Sequence, residues 1–376
     1  MFETWTLLQL QQYWWIIISL LGGLFVFMMF VQGGQTLLNR LSQNEIEKTM
    51  LVNSIGRKWE LGFTTLVLFG GALFAAFPLF YSTSFGGAYW VWMAILFCFI
   101  IQAVSYEYRT KPNNFLGQKT YELFLSINGN LGVFLLGVAI STFFSGSEFF
   151  VDERNFSFWK NDFRGLEALT NVYNYFLGFA LVFLSKILGA MYFINNIDYE
   201  PIKKRSIESM KKDMILFLIF FFAFLGWIAT KEGFAFDENG VVSLISMKYL
   251  NNFIELPIVL GMFVFGVALV VISVFRTIQY EKTCCIKTGG VGVVLTVMAL
   301  LLSVGLNNTS YYPSTYDLQS SLTIINSSGS HYTLATMSYV SLMVPFVLAY
   351  IYYAWASMDK VKITKEEIAS PDAHNY

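Results

Sequence analysis

Residues 51–111 decide the fold of this chain. They read LVNSIGRKWELGFTTLVLFGGALFAAFP over 51–78 and, after a long apolar run, VSYEYRTK over 104–111. Two apolar segments here are each long enough to cross a bilayer, and the short connection at 81–89 makes them antiparallel neighbours. Each segment carries one carboxylate, Glu60 or Glu107, near the same membrane face. Acids this close to hydrocarbon predict a functional site, here a shared hydrophilic path.

The whole chain has the composition of an all-α integral membrane protein. Of its 376 residues, 56% are hydrophobic and 13% are charged, which excludes disorder and is too apolar for an ordinary soluble protein. Apolar windows predict nine spanning helices near 14–30, 61–81, 89–106, 123–144, 172–194, 214–229, 254–275, 289–306 and 337–355. The loop lengths suit two four-helix bundles, 1–144 and 145–306, and then an outer loop, an extra helix and a tail over 307–376.

The basic residues predict the orientation, because cytoplasmic loops retain Lys and Arg. With the N-terminus outside, 18 of the 24 basic residues fall in cytoplasmic segments, five fall in outer segments, and Lys186 falls within a span. The five are Arg154, Lys160, Arg164, Lys231 and Lys248. Nine spans then place the C-terminus in the cytoplasm. The net charge of -1 and the lack of a long basic tract give no reason to expect nucleic-acid binding.

Further polar residues lie within or beside the apolar segments. Gln32 and Gln35 are three residues apart and therefore share one helical face. Two interpretations stay open for them, hydrogen bonding between helices and participation in a proton path. Lys186 interrupts the fifth span, where it would either snorkel to the boundary or pair with a carboxylate of a neighbouring helix.

The two acids also have simpler interpretations. Glu60 follows Lys58 and Trp59 and would belong to an interfacial collar of charged and aromatic residues. Glu107 would pair with Arg109 at the interface.

Glycines in the first two spans predict a surface for helix association, since small residues let helices approach closely in lipid. Gly70 and Gly71 are the main candidates for contact with a partner. The other members of the set are Gly22, Gly23, Gly33 and Gly34.

A complete catalytic site is missing from the sequence. Haem ligation inside a membrane needs axial His, Met or Cys, and the only histidines are His331 in an outer loop and His374 in the tail. They lie on opposite sides of the membrane in the predicted topology, so they cannot form one site. The sequence also contains no phosphate-binding loop, dinucleotide fingerprint or nucleophile motif.

Ordered motifs over nearly the whole chain resemble subunit II of cytochrome bd quinol oxidases. They are the early W-W, M-L-V-N-S-I-x-x-x-W-E, G-G-A-L-F-A-A-F-P-L-x-Y, V-S-Y-E-Y-R-x-K, the late P-S-x-x-x-x-x-x-S-L-T-I, V-P-F-V-L-A-Y and the tail I-T-K-E-E-I. Residues 50–78 are the most specific part, whereas 145–271 match only in pattern.

The resemblance implies a heterodimer in the bacterial cytoplasmic (inner) membrane. Subunit I would hold haems b and d and the quinol site, and this haem-free chain would support it and provide a proton path from the cytoplasm. The complex would be an electrogenic quinol:oxygen oxidoreductase. The resemblance also leaves room for a small accessory membrane subunit, for bound membrane lipids and for a structural quinone.

The resemblance also implies roles for individual residues. Glu60 stands where the family's W-D-G-N motif has its Asp, and Glu107 stands where the F-D-Y-R motif has its Asp. Gln32 and Gln35 stand where the T-D-G-F-D motif has two acids, and Gln102 stands where an Arg is common. Both proton-path acids are therefore kept as carboxylates, while the first helix has lost its titratable pair.

Two other classes of function remain in view. A purely structural membrane subunit predicts that Glu60 and Glu107 tolerate substitution. A secondary transporter predicts inverted repeats and broken helices around a site at the middle of the membrane, and the sequence shows neither.

Overall fold

The computed structural model describes residues 2–369 of the chain. His374, one of the two histidines considered above, lies outside this range. Within it, nine helical segments are long and apolar enough to cross a membrane. The predicted all-α membrane fold and the number of spans are thus confirmed, while the orientation of the termini stays a prediction.

Sixteen α-helices build these spans and the segments between them. The first four spans contain α1 (Leu7–Met28) with α2 (Phe30–Leu41), α3 (Glu45–Gly56) with α4 (Trp59–Ala76), α6 (Tyr89–Tyr108), and α7 (Gln118–Ile127) with α8 (Val133–Ser145); α5 (Pro78–Tyr81) follows α4. The remaining spans contain α9 (Asn174–Asn196), α10 (Glu200–Thr230), α12 (Pro257–Tyr280), α13 (Cys285–Gly305), and α14 (His331–Ser341) with α15 (Val344–Met358). Two short helices, α11 (Lys248–Glu255) and α16 (Lys365–Ala369), lie outside the spans.

Local sequence explains where several helices begin and end. Thr6 caps α1 through a reciprocal capping box with Gln9, and Asn44 caps α3 by accepting from the Glu47 backbone N–H. Pro78 lacks the N–H that would continue α4 and becomes the first residue of α5. The long helix of the second span therefore ends just before Pro78.

The first span is the centre of the packing. Its α1 packs against α13 and α4, and its α2 packs against α9. A Cβ at Gly33 would lie only 1.9 Å from the Ser185 carbonyl oxygen, so a glycine is required for this close approach of α2 and α9. These contacts join the two predicted helical groups through one continuous apolar core. The division at residues 144 and 306 stays a prediction.

The loops that are predicted to lie outside are folded onto the helices. They contain two hairpins that the sequence analysis did not predict, β1 (Phe149–Val151) paired antiparallel with β2 (Ser157–Trp159) and β3 (Gly233–Phe236) paired with β4 (Val242–Ile245). Tyr311 and Tyr312 of the long outer connection are buried and pack against Phe80. This connection is therefore packed on the helices.

Candidate functional site

Glu60 and Glu107 lie at one corner of the fold, where α4 begins and α6 ends. The rings of Trp59 and Tyr106, the residues just before the two acids, stack with centroids 5.7 Å apart and an interplanar angle of 13°. Both carboxylates are exposed at the surface of this chain, and no ion pair within residues 2–369 involves either of them. The structure therefore brings them to the same corner but leaves them outside the protein interior.

Behind this corner lies a buried group of side-chain amides. Gln32 Nε2 donates to Gln102 Oε1 at 3.3 Å, and Gln35 Nε2 donates to the Tyr106 hydroxyl at 3.1 Å. All four side chains are buried. Gln32 and Gln35 thus share one face of α2 directed at α6, so the predicted hydrogen bonding between helices is confirmed. A role in a proton path stays a prediction.

The amide group is only partly satisfied by the protein. Among the side chains of this group and its neighbour Asn128, buried polar atoms without a hydrogen-bond partner in residues 2–369 occur on Gln32, Gln35, Gln102 and Asn128. Asn128 begins a π-helical turn at Asn128–Gly132, and the next residue, Gly129, packs against the Gln32 carbonyl so closely that a Cβ would not fit. We call Gln32, Gln35, Gln102 and Asn128 the amide row. Because buried polar groups in proteins are almost always paired, the amide row is suited to holding water between the helices.

A carboxylate that the sequence analysis missed lies near this row. Glu122 on α7 accepts from Arg109 Nε at 3.2 Å and Nη2 at 3.0 Å, and its other oxygen accepts from Lys48 Nζ at 3.1 Å. Glu122 and Arg109 are both buried. Arg109 therefore pairs with Glu122 on the next helix, and the suggested Arg109–Glu107 pair is wrong. A span predicted to start at residue 123 left Glu122 in a loop, which hid it.

A second buried ion pair holds the beginning of α4. Lys58 Nζ lies 3.1 Å from Asp359 Oδ1, and the Lys58 side chain is fully buried. Asp359 also accepts from the Tyr192 hydroxyl at 2.9 Å and from Asn196 Nδ2 at 3.2 Å. Lys58 therefore does not belong to an exposed interfacial collar. Its ammonium is neutralised by the segment that follows the last span, which fixes the residue next to Trp59.

Lys186 lies on α9, half-buried, with its ammonium 5.3 Å from the centroid of the Phe183 ring. The charged side chains that act electrostatically on this ammonium are Asp213 of α10 and Arg40 of α2. Arg40 Nη1 donates to both oxygens of Asp213 at 3.1 and 3.2 Å. Of the two interpretations of Lys186, pairing with a carboxylate of a neighbouring helix is therefore not observed, because Asp213 is already paired with Arg40.

The predicted glycine surface divides into two parts. A Cβ at Gly71 would meet nothing within 4 Å, and a Cβ at Gly70 would touch only the Phe85 ring at 3.5 Å. The other four members pack inside the chain, against Leu301 and Phe69, Val294, the Ser185–Lys186 backbone, and Ile55 and Phe193. Assigning Gly22, Gly23, Gly33 and Gly34 to a partner surface was therefore wrong, because their small size serves contacts between helices of this chain.

The described residues contain no group of three or more His, Cys, Asp and Glu side chains that could hold a metal ion. His331 Nε2 lies 2.7 Å from the Trp5 carbonyl oxygen, a contact that joins α14 to the N-terminal segment.

The fold and the site together define a class, a multi-pass helical membrane protein with a buried polar row next to two exposed acids. The family model for "Cytochrome bd terminal oxidase subunit II" matches residues 10–358. The chain belongs to this family, as its motifs indicated.

Individual relatives agree with the family assignment. The chain is 26% identical to "Cytochrome bd-I ubiquinol oxidase subunit 2" of Escherichia coli (strain K12), with 94% of this chain and 95% of the relative covered. It is also 26% identical to "Cytochrome bd ubiquinol oxidase subunit 2" of Bacillus subtilis (strain 168), with 90% and 93% covered. A chain in the bd oxidase structure from Geobacillus thermodenitrificans has the same fold, with a TM-score of 0.65 at 12% identity and 93% and 98% covered.

Proposed function

We propose that this chain is the haem-free subunit II of a bacterial cytochrome bd-type quinol:oxygen oxidoreductase. It would support a haem-bearing subunit I in the cytoplasmic membrane and conduct protons toward it from the cytoplasm. The relatives named as subunit 2 support the existence of such a partner. The haems b and d and the quinol site would belong to that partner. Family membership removes the support for a secondary transporter.

The observation that carries the proton path is the contact of the buried amide row with the corner that bears the two acids. Tyr106 links them directly, because its hydroxyl accepts from Gln35 and its ring stacks on Trp59. Amides do not titrate in the physiological range, but they can hold water, whereas carboxylates accept and release protons. Water along the row would thus deliver protons to Glu60 and Glu107, the titrating groups of the path.

The position of the two acids also suits transfer to a neighbouring subunit. Both are exposed on the side of α4 and α6 that this chain leaves uncovered, where Gly71 is open as well. Glu122, in contrast, is already paired with both Arg109 and Lys48, so we assign it an anchoring role. A purely structural subunit is the second candidate, since surface acids without an ion pair could equally be interfacial anchors.

Haem content tests the division between subunits. We expect the chain purified alone to show no haem absorption, and the same tagged chain co-expressed with its partner to show the full haem spectrum. Stoichiometric haem on the isolated chain would contradict the proposal. Failure of the chain to copurify with any haem-bearing protein would contradict it as well.

A further inference from the structure

Lys186 is a cation for which neither the fold nor the proposed proton path provides a partner. Among residues 2–369 it forms no ion pair. Asp213, the acid near it, is buried and accepts from Arg40 twice and from Ser209 Oγ at 3.1 Å. One negative charge thus faces two positive charges, and the group formed by Arg40, Lys186 and Asp213 has a net positive charge.

The charge pattern of α10 indicates the depth of Arg40, Lys186 and Asp213 in the membrane. The helix carries many charged residues up to Asp213 and then none until Lys231. The uncharged stretch of 214–230 spans about 25 Å at 1.5 Å per residue, close to the thickness of the hydrocarbon core. Ile215 and Phe222 within it are exposed, as lipid-facing residues should be. Asp213 therefore marks the inner boundary of the hydrocarbon, at the depth of phospholipid headgroups.

Lys186 lies close to the same boundary. The rings of Phe183 on α9 and Phe220 on α10 stack with centroids 5.9 Å apart and an interplanar angle of 9°. Lys186 comes after Phe183 on α9, and Asp213 comes before Phe220 on α10. Because the two helices run in opposite directions, both residues are displaced from the stacked rings toward the same end of the helix pair. The long side chain of Lys186 can thus present its ammonium to the headgroup layer while its methylenes stay in contact with apolar surface.

An apolar surface continues from the cationic group toward the middle of the membrane. Phe179 packs against Phe134 and Phe220 with ring centroids 4.8 and 5.0 Å apart, and it is 36% exposed. Phe183 and Phe220 are half-buried. A positive group at headgroup depth, followed by partly exposed aromatic rings at acyl-chain depth, complements both the headgroup and the acyl chains of an anionic phospholipid.

We propose that Arg40 and Lys186, with the aromatic surface of α9 and α10 above them, form a binding site for one anionic phospholipid of the inner leaflet. The lipid phosphate binds the Lys186 ammonium and the free edge of the Arg40 guanidinium, whose side chain is 39% exposed. An acyl chain lies along Phe179, Phe183 and Phe220. A soluble phosphate ion has no apolar part that could contact the aromatic surface. We therefore assign the site to a lipid.

Lipid binding to the delipidated complex tests this site by native mass spectrometry. The probes are phosphatidylglycerol, phosphatidylcholine with the same acyl chains, and inorganic phosphate. We expect phosphatidylglycerol to bind the native complex in preference to phosphatidylcholine. Lys186→Met should weaken the tightest phosphatidylglycerol event roughly fivefold, the effect of about one basic residue at a membrane surface, and Lys186→Arg should restore it.

Lys212→Met is the matched control, because Lys212 is an exposed cation at the same end of α10 and pairs with Glu208 at 3.2 Å. It should change lipid binding less than about twofold, since Glu208 already balances the Lys212 charge. Equal loss of phosphatidylglycerol binding in Lys186→Met and Lys212→Met would overturn the proposal. Displacement of phosphatidylglycerol by inorganic phosphate at the same concentration would overturn it as well. If the Lys186→Met complex does not assemble, equal binding of the two lipids to the native complex overturns the proposal. Unchanged binding in Lys186→Met would also overturn the proposal and would assign the ammonium to water or to an acid of the partner subunit.

Discussion

Replacing Glu122 by Gln should destabilise the fold strongly, because this carboxylate is the common partner of two cations. The exposed fraction of the side chain is 5% for Glu122, 1% for Arg109 and 16% for Lys48. Removing one member of a buried ion pair costs about 3–5 kcal/mol, since the other charge remains buried. Glu45 lies 3.9 Å from Arg109 and can compensate in part. We therefore expect a loss near the lower end, about 3 kcal/mol, or a factor of roughly 150 in the folding equilibrium.

Reversible unfolding of the chain in mixed micelles measures this change. Glu208→Gln is the matched control, because it makes the same substitution in an exposed pair with Lys212 on α10. Such a surface pair along one helix contributes about 0.3–0.5 kcal/mol. Equal and small effects of the two substitutions, each below about 1 kcal/mol, would refute the assignment of Glu122 as a buried anchor.

Two further predictions concern the partner surface and an outer loop. Gly71→Leu should reduce recovery of the complex several-fold, because overpacking a close interface costs about 1–3 kcal/mol; Gly226→Leu, which also adds a side chain in open space within this chain, is the control, and equal recovery of both complexes would exclude Gly71 from the interface. At the predicted outer face, burial raises the pKa of Glu167 from its usual 4.5 even though its carboxylate accepts from the Gly165 N–H at 2.7 Å. The folded state therefore binds this proton more tightly than the unfolded state, and stability falls as the pH rises from 4.5 through the raised pKa. Glu167→Gln should remove this part of the pH dependence in thermal unfolding and raise the stability at neutral pH, whereas parallel curves for the native and variant chains would contradict the prediction.

The spans were predictable from sequence, but their full lengths were not. Apolar windows located the sixth span at 214–229, whereas α10 begins at Glu200. A hydropathy window reports only the part of a helix in lipid, and the charged turns before Asp213 continue the helix into the aqueous phase. The same effect hid Glu122, since its helix begins before the apolar window.

The site was predictable only in part, because its partners are distant in sequence. The spacing of Gln32 and Gln35 indicated their common face, yet nothing local indicated that Gln102 and Tyr106 would receive their hydrogen bonds. Lys58 Nζ lies 3.1 Å from Asp359 Oδ1 although most of the chain separates the two residues in sequence. Tertiary packing alone determines this pairing.

Proton uptake by the assembled complex tests the central claim most directly. Glu60→Gln and Glu107→Gln complexes, purified with their full haem content and reconstituted into vesicles, would be compared with Glu60→Asp, Glu107→Asp and the distant control Glu208→Gln. We predict that each amide slows quinol-driven oxygen reduction and proton uptake from the cytoplasmic side, because it cannot titrate, while the aspartates and the control largely preserve both. Full turnover and full proton uptake in both amide variants would contradict the proton path and leave the chain with a purely structural role.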